Sequence, residues 1–294
     1  MQDYEKIDFI GIGSGKSGST WIGECLKEHP EIGFSSEKHK GKELRFFNTP
    51  DWGGLHPGSV SNYDKGLSWY FNQIPQRGKV RGEVSPGYLP DPEAVRRIKE
   101  VFPNVKILVV LRNPVDMLYS LYCAHKSGVA SEVPETFRSF VEDTRVKELG
   151  LYGKHLTRYF EMFPAKNIYT MFFEDIKSRP REVLKDLYSF LGVDPNFVPS
   201  FFGGRVNPTF IPRFEWLKSF ARVVVLGLQR LGFKQLSEEI LRNQTLYKLY
   251  LKINRTSRRY PPLDKEMRAK LKQYYLGDIQ KLEGLIGRDL SLWK

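Results

Sequence analysis

The stretch GSGKSGSTW, residues 13–21, follows a short apolar segment and combines glycines, hydroxyl side chains and one lysine. Backbone amides of a glycine-rich turn bind phosphate, and the N-terminus of a following helix adds its dipole to that attraction. Lysine contributes a positive charge and the hydroxyls contribute further donors, while a glycine permits close approach. The residues that we expect to contact a phosphate compound are Lys16, Ser17, Gly18, Ser19 and Thr20.

The loop does not match a nucleoside triphosphate loop. That pattern is G-x-x-x-x-G-K-[ST], and its first glycine would fall on Ile10. Triphosphate enzymes also use an acidic residue to hold Mg²⁺, whereas the apolar run Val105–Leu111 ends in the cation Arg112. The acidic pair Glu174-Asp175 does follow another apolar run, so a P-loop kinase that uses ATP and Mg²⁺ stays open as an alternative.

An arginine at a strand end beside a lysine loop suits a ligand with two separated phosphates and no metal. The first phosphate would lie on the helix N-terminus and the second on Arg112. Ser120, eight residues further along the next predicted helix, would add a hydroxyl. The five histidines are scattered and show no HExxH or HxH spacing, so we expect no metal site.

Strand and helix patterns alternate through the first two thirds of the chain. Apolar runs predict strands at Lys6–Ile12, Lys79–Val84, Val105–Leu111 and Asn167–Phe173, and helical patterns lie between them. Continuous apolarity in Val105–Leu111 indicates burial on both faces, as in a parallel sheet. We therefore predict an α/β fold with a doubly wound parallel sheet, in one domain spanning 1–294, with its core at 6–194 and a helical region at 205–294.

The net charge of +12 lies mostly in the C-terminal region. Residues 205–294 contain 19 Lys and Arg against 8 Asp and Glu, a net charge of +11. This excess indicates either solvated helix faces or attraction to an anionic ligand, polymer or membrane surface. We expect no nucleic-acid partner.

The two cysteines, Cys25 and Cys123, cannot form a disulfide framework, which favours reduced thiols in a cytosolic protein. The charged start MQDYEKID resembles no signal peptide, and the longest aliphatic run, Val223–Leu226, is too short to cross a bilayer. We expect a soluble, cytoplasmic protein.

Two of these segments carry a family resemblance. KSGSTW, from Lys16 to Trp21, resembles the 5′-phosphosulfate loop of sulfotransferases, and LRNPVDMLYSLY, from Leu111 to Tyr122, is similar to their 3′-phosphate motif. The segments lie about 95 residues apart, as in that family. The resemblance extends from Phe9 to Asp194. It implies a fold related to P-loop kinases, 3′-phosphoadenosine 5′-phosphosulfate (PAPS) as the donor, and no metal.

The resemblance also implies roles for individual residues. Lys16 would neutralise the oxygen that bridges phosphate and sulfuryl group as the leaving charge develops. Trp21 would stack on adenine, although packing in the core explains a tryptophan here equally well. Tyr152 matches a position that contacts adenine, and the alternative is an ordinary aromatic residue at the start of a helix. GGRVNP, residues 203–208, loosely resembles a late loop that closes over the 3′-phosphate, which makes Arg205 a further candidate.

The candidate base lies in GKELRFFN, residues 41–48. Sulfuryl transfer needs a group that removes the acceptor proton. This stretch resembles the K-E-x-x-F-F segment of carbohydrate sulfotransferases, and that resemblance gives the role of base to Glu43, which by composition alone would be an ordinary solvated charge. Glu83 and His39 are the alternatives.

Three positions depart from the heparan-type pattern. They are Arg45 in place of a frequent histidine, Asn48 in place of an acid, and Val84 in place of a lysine. Because these positions help such enzymes to bind a polyanionic sugar, we do not expect a heparan-like substrate. The expected acceptor is a hydroxyl, with an amine second, on a carbohydrate, glycolipid or other amphiphilic metabolite. A non-catalytic membrane- or polyanion-binding protein on the same fold is the remaining alternative.

The segment Arg213–Phe233 combines apolar residues at helical spacing with interspersed cations. This pattern predicts an amphipathic basic helix. One interpretation packs its apolar residues, among them Phe220, Val224 and Leu231, on the core. The other places the helix beside the acceptor site and docks it on an anionic membrane or amphiphile.

Overall fold

A five-stranded sheet forms the centre of the computed structural model. The structure describes residues 6–35, 43–50, 52, 61–127, 134–200, 202, 211, 213–233, 236–237, 240, 243–254, 256 and 260–294. The strands are β1 (Phe9–Gly13), β2 (Ile32–Phe34), β3 (Val80–Val84), β4 (Lys106–Leu111) and β5 (Ile168–Phe172). Their order is β2-β3-β1-β4-β5, and every pair is parallel.

The described helices lie between and after the strands, and several of them cover the two faces of the sheet. They are α1 (Ser19–Glu28), α2 (Gly66–Asn72), α3 (Pro92–Val101), α4 (Pro114–Ser127), α5 (Phe137–Phe140), α6 (Thr144–Glu148), α7 (Tyr152–Met162), α8 (Phe173–Ser178), α9 (Pro180–Leu191), α10 (Glu215–Arg230), α11 (Gln244–Asn254) and α12 (Lys265–Ile286). Asp91 caps α3 by accepting hydrogen bonds from the amides of Glu93 and Ala94, with proline in the first turn.

Side chains of β4 alternate between two hydrophobic cores. Ile107, Val109 and Leu111 belong to the larger core on one face, whereas Leu108 and Val110 belong to the smaller core on the other. Burial on both faces explains why this strand reads as an unbroken apolar run. The prediction of a doubly wound parallel sheet is confirmed.

The strand order places β1 in the middle of the sheet. The chain leaves β1 toward β2 and β3, and it later crosses to β4 on the opposite side of β1. Loops that follow β1 and β4 therefore diverge at the carboxyl edge of the sheet, which is where open α/β sheets bind ligands.

Helix α12 packs on α7 and joins the main core. Asp278 of α12 accepts hydrogen bonds from the amides of Gly153 and Lys154, each at 2.7 Å, and so caps the first turn of α7. Tyr275 is fully buried, while Tyr274 is 43% exposed. The inward side of α12 therefore includes Tyr275 together with Met267 and Leu271.

One strand was not predicted from the sequence. Strand β2 has only three residues, too few for an apolar period to stand out. Residues 134–149 contain two separate short helices, α5 and α6, with Asp143 capping the second. Among the described residues, no helix is both long and apolar enough to cross a membrane.

Candidate active site

The loop after β1 is built around a buried cluster of hydroxyls. The hydroxyls of Ser14 and Ser17 share a hydrogen bond of 2.5 Å, and Ser14 donates to the hydroxyl of Tyr152 at 3.3 Å. Gly18 caps α1 with φ at 99°, a conformation that favours glycine. A Cβ atom there would lie 3.2 Å from Ile176. The loop is therefore fixed from below by Tyr152 and from the side by α8.

Lys16 occupies the tip of this loop in the left-handed region, with φ at 60°. Few residues other than glycine adopt this conformation, and it concentrates at functional sites. The residue retains solvent contact, yet surrounding protein desolvates its ammonium and lowers the pKa of Lys16, while the charge of Glu43 acts in the opposite direction. The lysine is thus held at the loop tip within electrostatic reach of the candidate base.

Arg112 joins the two predicted phosphate motifs. Its guanidinium donates to the carbonyl oxygen of Lys16 at 3.2 Å, across 96 residues of sequence. The ring of Phe173 lies 4.5 Å below the guanidinium, a cation–π contact that fixes its plane. Desolvation lowers the pKa of Arg112, and the charge of Asp116 is the largest effect that opposes it.

A pocket of about 440 Å³ opens beside Arg112. Its lining residues are Arg112, Asp116, Phe173, Glu174, Lys177 and Ser178. Sequence reasoning did not single out Phe173 or Lys177, although both lie in or just after the FFEDI segment that follows β5. The lining combines two cations, Arg112 and Lys177, with two carboxylates, Asp116 and Glu174. An anionic group at this pocket would therefore have to bind on the side of the two cations.

The segment that carries Glu43 is anchored by its apolar neighbours. Leu44, Phe46 and Phe47 are buried, and the amide of Phe46 donates to the hydroxyl of Tyr88 at 2.9 Å. The paired phenylalanines of the motif therefore act as anchors in the core, and they leave the carboxylate of Glu43 partly open to solvent.

Arg45 links Glu43 to the end of β3. With φ at 49°, its side chain donates to the Glu43 carboxylate at 3.2 Å while its amide donates to the hydroxyl of Ser85 at 3.1 Å. Ser85 in turn donates to Glu83 at 2.6 Å. Arginine here orients the carboxylate of Glu43, a contact that a histidine at the same position would make differently.

Glu83 is fully buried behind this network. It accepts hydrogen bonds from Ser85 and from Tyr88, the latter at 2.7 Å. Burial raises the pKa of Glu83 to about 7; the two hydrogen bonds lower it, and the negative charge of Glu43 raises it. Glu83 is therefore near Glu43, but its carboxyl is enclosed by protein, whereas that of Glu43 faces outward.

The other predicted site residues fall in different surroundings. Tyr152 is buried beneath the loop, and Ser120 is half-buried on α4, eight residues beyond Arg112. Trp21 is 7% exposed and belongs to the smaller core, so its packing role is present and its adenine contact stays a prediction. Arg205 and His39 lie outside the described residues.

The acidic pair after β5 is engaged by other groups. Asp175 accepts two hydrogen bonds from Arg288, at 2.5 and 3.0 Å, and pairs with Arg179 at 3.1 Å. Glu174 accepts from the amide of Asn113 at 3.2 Å. In the part of the chain that the structure describes, no cluster of three His, Cys, Asp or Glu residues is arranged to hold a metal ion.

Comparison with known proteins identifies the family. A family model described as a sulfotransferase domain matches residues 6–200. The range contains both phosphate motifs, Glu43 and all five strands. The chain therefore belongs to the sulfotransferase family, and the predicted membership of that family, with its fold, is confirmed.

Individual relatives agree with this assignment. The bifunctional heparan sulfate N-deacetylase/N-sulfotransferase 3 of Mus musculus is 26% identical over 308 aligned positions, which cover 97% of this chain and 31% of that protein. The Homo sapiens protein of the same name gives the same identity and coverage. The chain thus spans about a third of the length of these curated relatives. A crystal structure of a sulfotransferase from Alicyclobacillus acidocaldarius has the same fold, with a TM-score of 0.68, 23% identity and 98% of both chains covered.

Proposed function

We propose that this chain transfers a sulfuryl group from PAPS to a hydroxyl of a carbohydrate, glycolipid or other amphiphilic metabolite, with an amine as the second candidate. The observation that carries the proposal is the 3.2 Å hydrogen bond from Arg112 to the Lys16 carbonyl. It brings a 5′-phosphate loop and a 3′-phosphate arginine together, as a donor with two separated phosphates requires. ATP has no phosphate at its 3′ position, so a kinase would leave Arg112 without a ligand.

The residues present fit this donor. The N-terminus of α1 and the hydroxyls of the loop would hold the 5′-phosphosulfate, with Gly18 allowing close approach. Arg112 would hold the 3′-phosphate, with Ser120 as an added hydroxyl and Lys177 as a further cation at the pocket. Trp21 and Tyr152 are the proposed adenine contacts, and Arg205 is proposed to close over the 3′-phosphate.

Glu43 is the proposed general base. Its carboxylate would accept the proton of the acceptor hydroxyl while the acceptor oxygen bonds to sulfur and the bond from sulfur to the 5′-phosphate oxygen breaks. The products are the sulfated acceptor and adenosine 3′,5′-bisphosphate. Arg45 orients this carboxylate, and Glu83, enclosed behind Ser85 and Tyr88, is placed to support the network and less well placed to reach an acceptor.

Lys16 is the proposed electrostatic catalyst. Negative charge develops on the bridging oxygen as the sulfuryl group departs, and a lysine fixed at the loop tip stabilises that charge without further reorganisation. The electrostatic interaction between Lys16 and Glu43 supports the proposal that base and catalyst serve one reacting centre.

The acceptor class rests on two observations that point in different directions. Relatives named for heparan sulfate N-sulfotransferase activity support a carbohydrate acceptor, and they also support an amine as the group that is sulfated. Arg45 is already engaged with Glu43, and Asn48 donates to the carbonyl of Gly87 at 2.8 Å, so two of the three departing positions are occupied in holding the loop. We therefore propose a carbohydrate or glycolipid of lower charge than heparan.

A cytoplasmic location is also proposed. Cys25 and Cys123 are free and buried. Burial raises the pKa of both thiols, that of Cys123 to about 11, so neither is activated as a thiolate. Inert, unpaired cysteines are compatible with a reducing compartment.

The test of the function is a transfer assay with PAPS and a panel of neutral glycans, amino sugars and glycolipids. Mass spectrometry should find an acceptor that gains one sulfuryl group while the donor becomes adenosine 3′,5′-bisphosphate. ATP as donor and heparan-type polymers as acceptors are run as comparisons. An acceptor that gains a phosphoryl group from ATP and nothing from PAPS would contradict sulfuryl transfer, and reaction of heparan-type polymers alone would contradict the proposed acceptor class.

Replacing Arg112 by Ala should weaken binding of adenosine 3′,5′-bisphosphate by roughly 2–4 kcal/mol, since truncation strands a desolvated phosphate charge. Calorimetry measures this loss directly. The matched control is Arg138→Ala, because Arg138 makes an exposed ion pair with Glu266 on the surface and such pairs contribute little. Equal affinities of the two variants for the bisphosphate would show that Arg112 does not bind the donor.

A further inference from the structure

Helix α10 leaves a stripe of large apolar side chains in water. Trp216 is 67% exposed, Phe220 63% and Val223 68%, and Leu231, directly after the helix, is 73% exposed. At 100° per residue the three helical positions fall on one side of the helix, within an arc of about 60°. Val225, on the opposite side, is buried, and Leu217, Ala221 and Leu228 are half-buried. The interpretation that packs the apolar residues on the core therefore holds for that side of the helix and fails for Phe220, Val224 and Leu231.

Helix α11 repeats this arrangement beside it. Leu246, Leu249 and Ile253 are 47%, 53% and 44% exposed, at spacings of three and four residues. Isolated exposed apolar residues are ordinary, but several large exposed apolar side chains on one side of each of two helices indicate an interaction surface.

The two helices are fastened together at one end. Fully buried Asn254, the last residue of α11, accepts from the amide of Phe214 at 2.6 Å and donates to its carbonyl at 3.2 Å. The amide of Arg213 donates to the Asn254 carbonyl at 2.9 Å. Tyr250 of α11 donates to the carbonyl of Ser127 at the end of α4. The apolar stripes are thus presented by a defined helix pair that is tied to the domain.

The net charge of this region indicates which kind of partner the helix pair binds. Residues 211–259 contain 11 Lys and Arg against 3 Asp and Glu, a net charge of +8. Two copies of so basic a surface repel each other, which disfavours self-association. A soluble polyanion would match the charge but leave the apolar stripes in water. An anionic lipid surface satisfies both, because apolar side chains enter the acyl boundary while cations meet the headgroups.

We propose that the α10–α11 pair docks this protein peripherally on an anionic bilayer. Trp216 and Phe220 would lie at the level of the headgroups and the start of the acyl chains, where aromatic rings concentrate. Docking is independent of the transfer reaction, so a Glu43→Gln variant should bind vesicles as the wild type does.

The test is co-sedimentation of the full chain with vesicles of phosphatidylcholine alone and of phosphatidylcholine with phosphatidylglycerol. We expect binding to the anionic vesicles at low salt, and loss of binding at about 0.5 M salt, where the Debye length is only a few ångströms. Phe220→Gln together with Val223→Gln should weaken the binding at least about 10-fold.

The matched control is Val198→Gln with Leu292→Gln, which removes two exposed apolar side chains outside the helix pair. It should bind as the wild type does, and circular dichroism should show both double variants folded. No binding to anionic vesicles at low salt, or equal binding by the two double variants, would overturn the proposal. A dimer of the wild type in sedimentation velocity that is lost in the Phe220→Gln, Val223→Gln variant would also overturn the proposal, because a second copy of the chain would then cover the stripe.

Discussion

Replacing Glu43 by Gln is expected to lower turnover by roughly 10²–10⁴-fold, the range for loss of a general base. The amide keeps the size of the side chain and can still accept the hydrogen bond from Arg45, but it cannot take up the acceptor proton. Donor binding should stay within about threefold of wild type, because the base acts on the acceptor. Steady-state kinetics with the identified acceptor and calorimetry with adenosine 3′,5′-bisphosphate measure the two quantities separately.

Glu83→Gln is the matched control for this experiment. Both variants exchange a glutamate for its amide, and the two residues belong to one network through Arg45 and Ser85. Because Glu83 is enclosed and its pKa is raised to about 7, the amide resembles the protonated carboxyl that is already populated at neutral pH. Turnover should therefore fall by less than about 10-fold. The opposite ranking of the two variants would assign the base to Glu83.

Replacing Lys16 by Met should damage both donor binding and the chemical step. The methionine stem fills a similar space, so the change removes mainly the charge. Loss of one preorganised electrostatic contact at a developing anion costs about 10²–10³-fold in rate. The ground-state donor also meets this charge, so its affinity should fall as well. Single-turnover rates at saturating donor separate the two losses.

Lys166→Met serves as the control for removal of a lysine, because Lys166 is exposed in the turn before β5. It should leave affinity and rate unchanged. If Lys16→Met lowered affinity but left the single-turnover rate at the control value, Lys16 would bind the donor uniformly and would not act as a catalyst.

The parts of this site that follow from sequence are those encoded locally. The phosphate-binding residue types of the loop from Gly13 to Trp21 are consecutive in the sequence. The continuous apolar sequence of β4 indicates by itself that this strand is buried on both faces. Placement of Arg112 at the end of that strand followed from the same run. Lys16 and Arg112 were expected to bind one ligand because the lysine loop and the arginine each follow an apolar run.

Other features depend on distant parts of the chain and could not be read from it. Phe173 and Lys177 reach Arg112 across about 60 residues of sequence, and only the adjacency of β4 and β5 brings them there. Ser85 and Tyr88 enclose Glu83 and also accept hydrogen bonds from the amides of Arg45 and Phe46, which lie 40 and 42 residues away from them in the sequence. In α10, helical spacing predicted the helix and its apolar residues, but periodicity does not say which side other elements cover.

The most direct test of the account is calorimetry of the wild-type chain with adenosine 3′,5′-bisphosphate and with ATP, each in Mg²⁺ and in a chelator. We expect the bisphosphate to bind at least about 100-fold more tightly than ATP, a difference of about 2.7 kcal/mol, and we expect the chelator to leave the affinity of the bisphosphate unchanged. ATP binding that equals that of the bisphosphate, or that depends on Mg²⁺, would contradict a two-phosphate donor site and restore the kinase alternative.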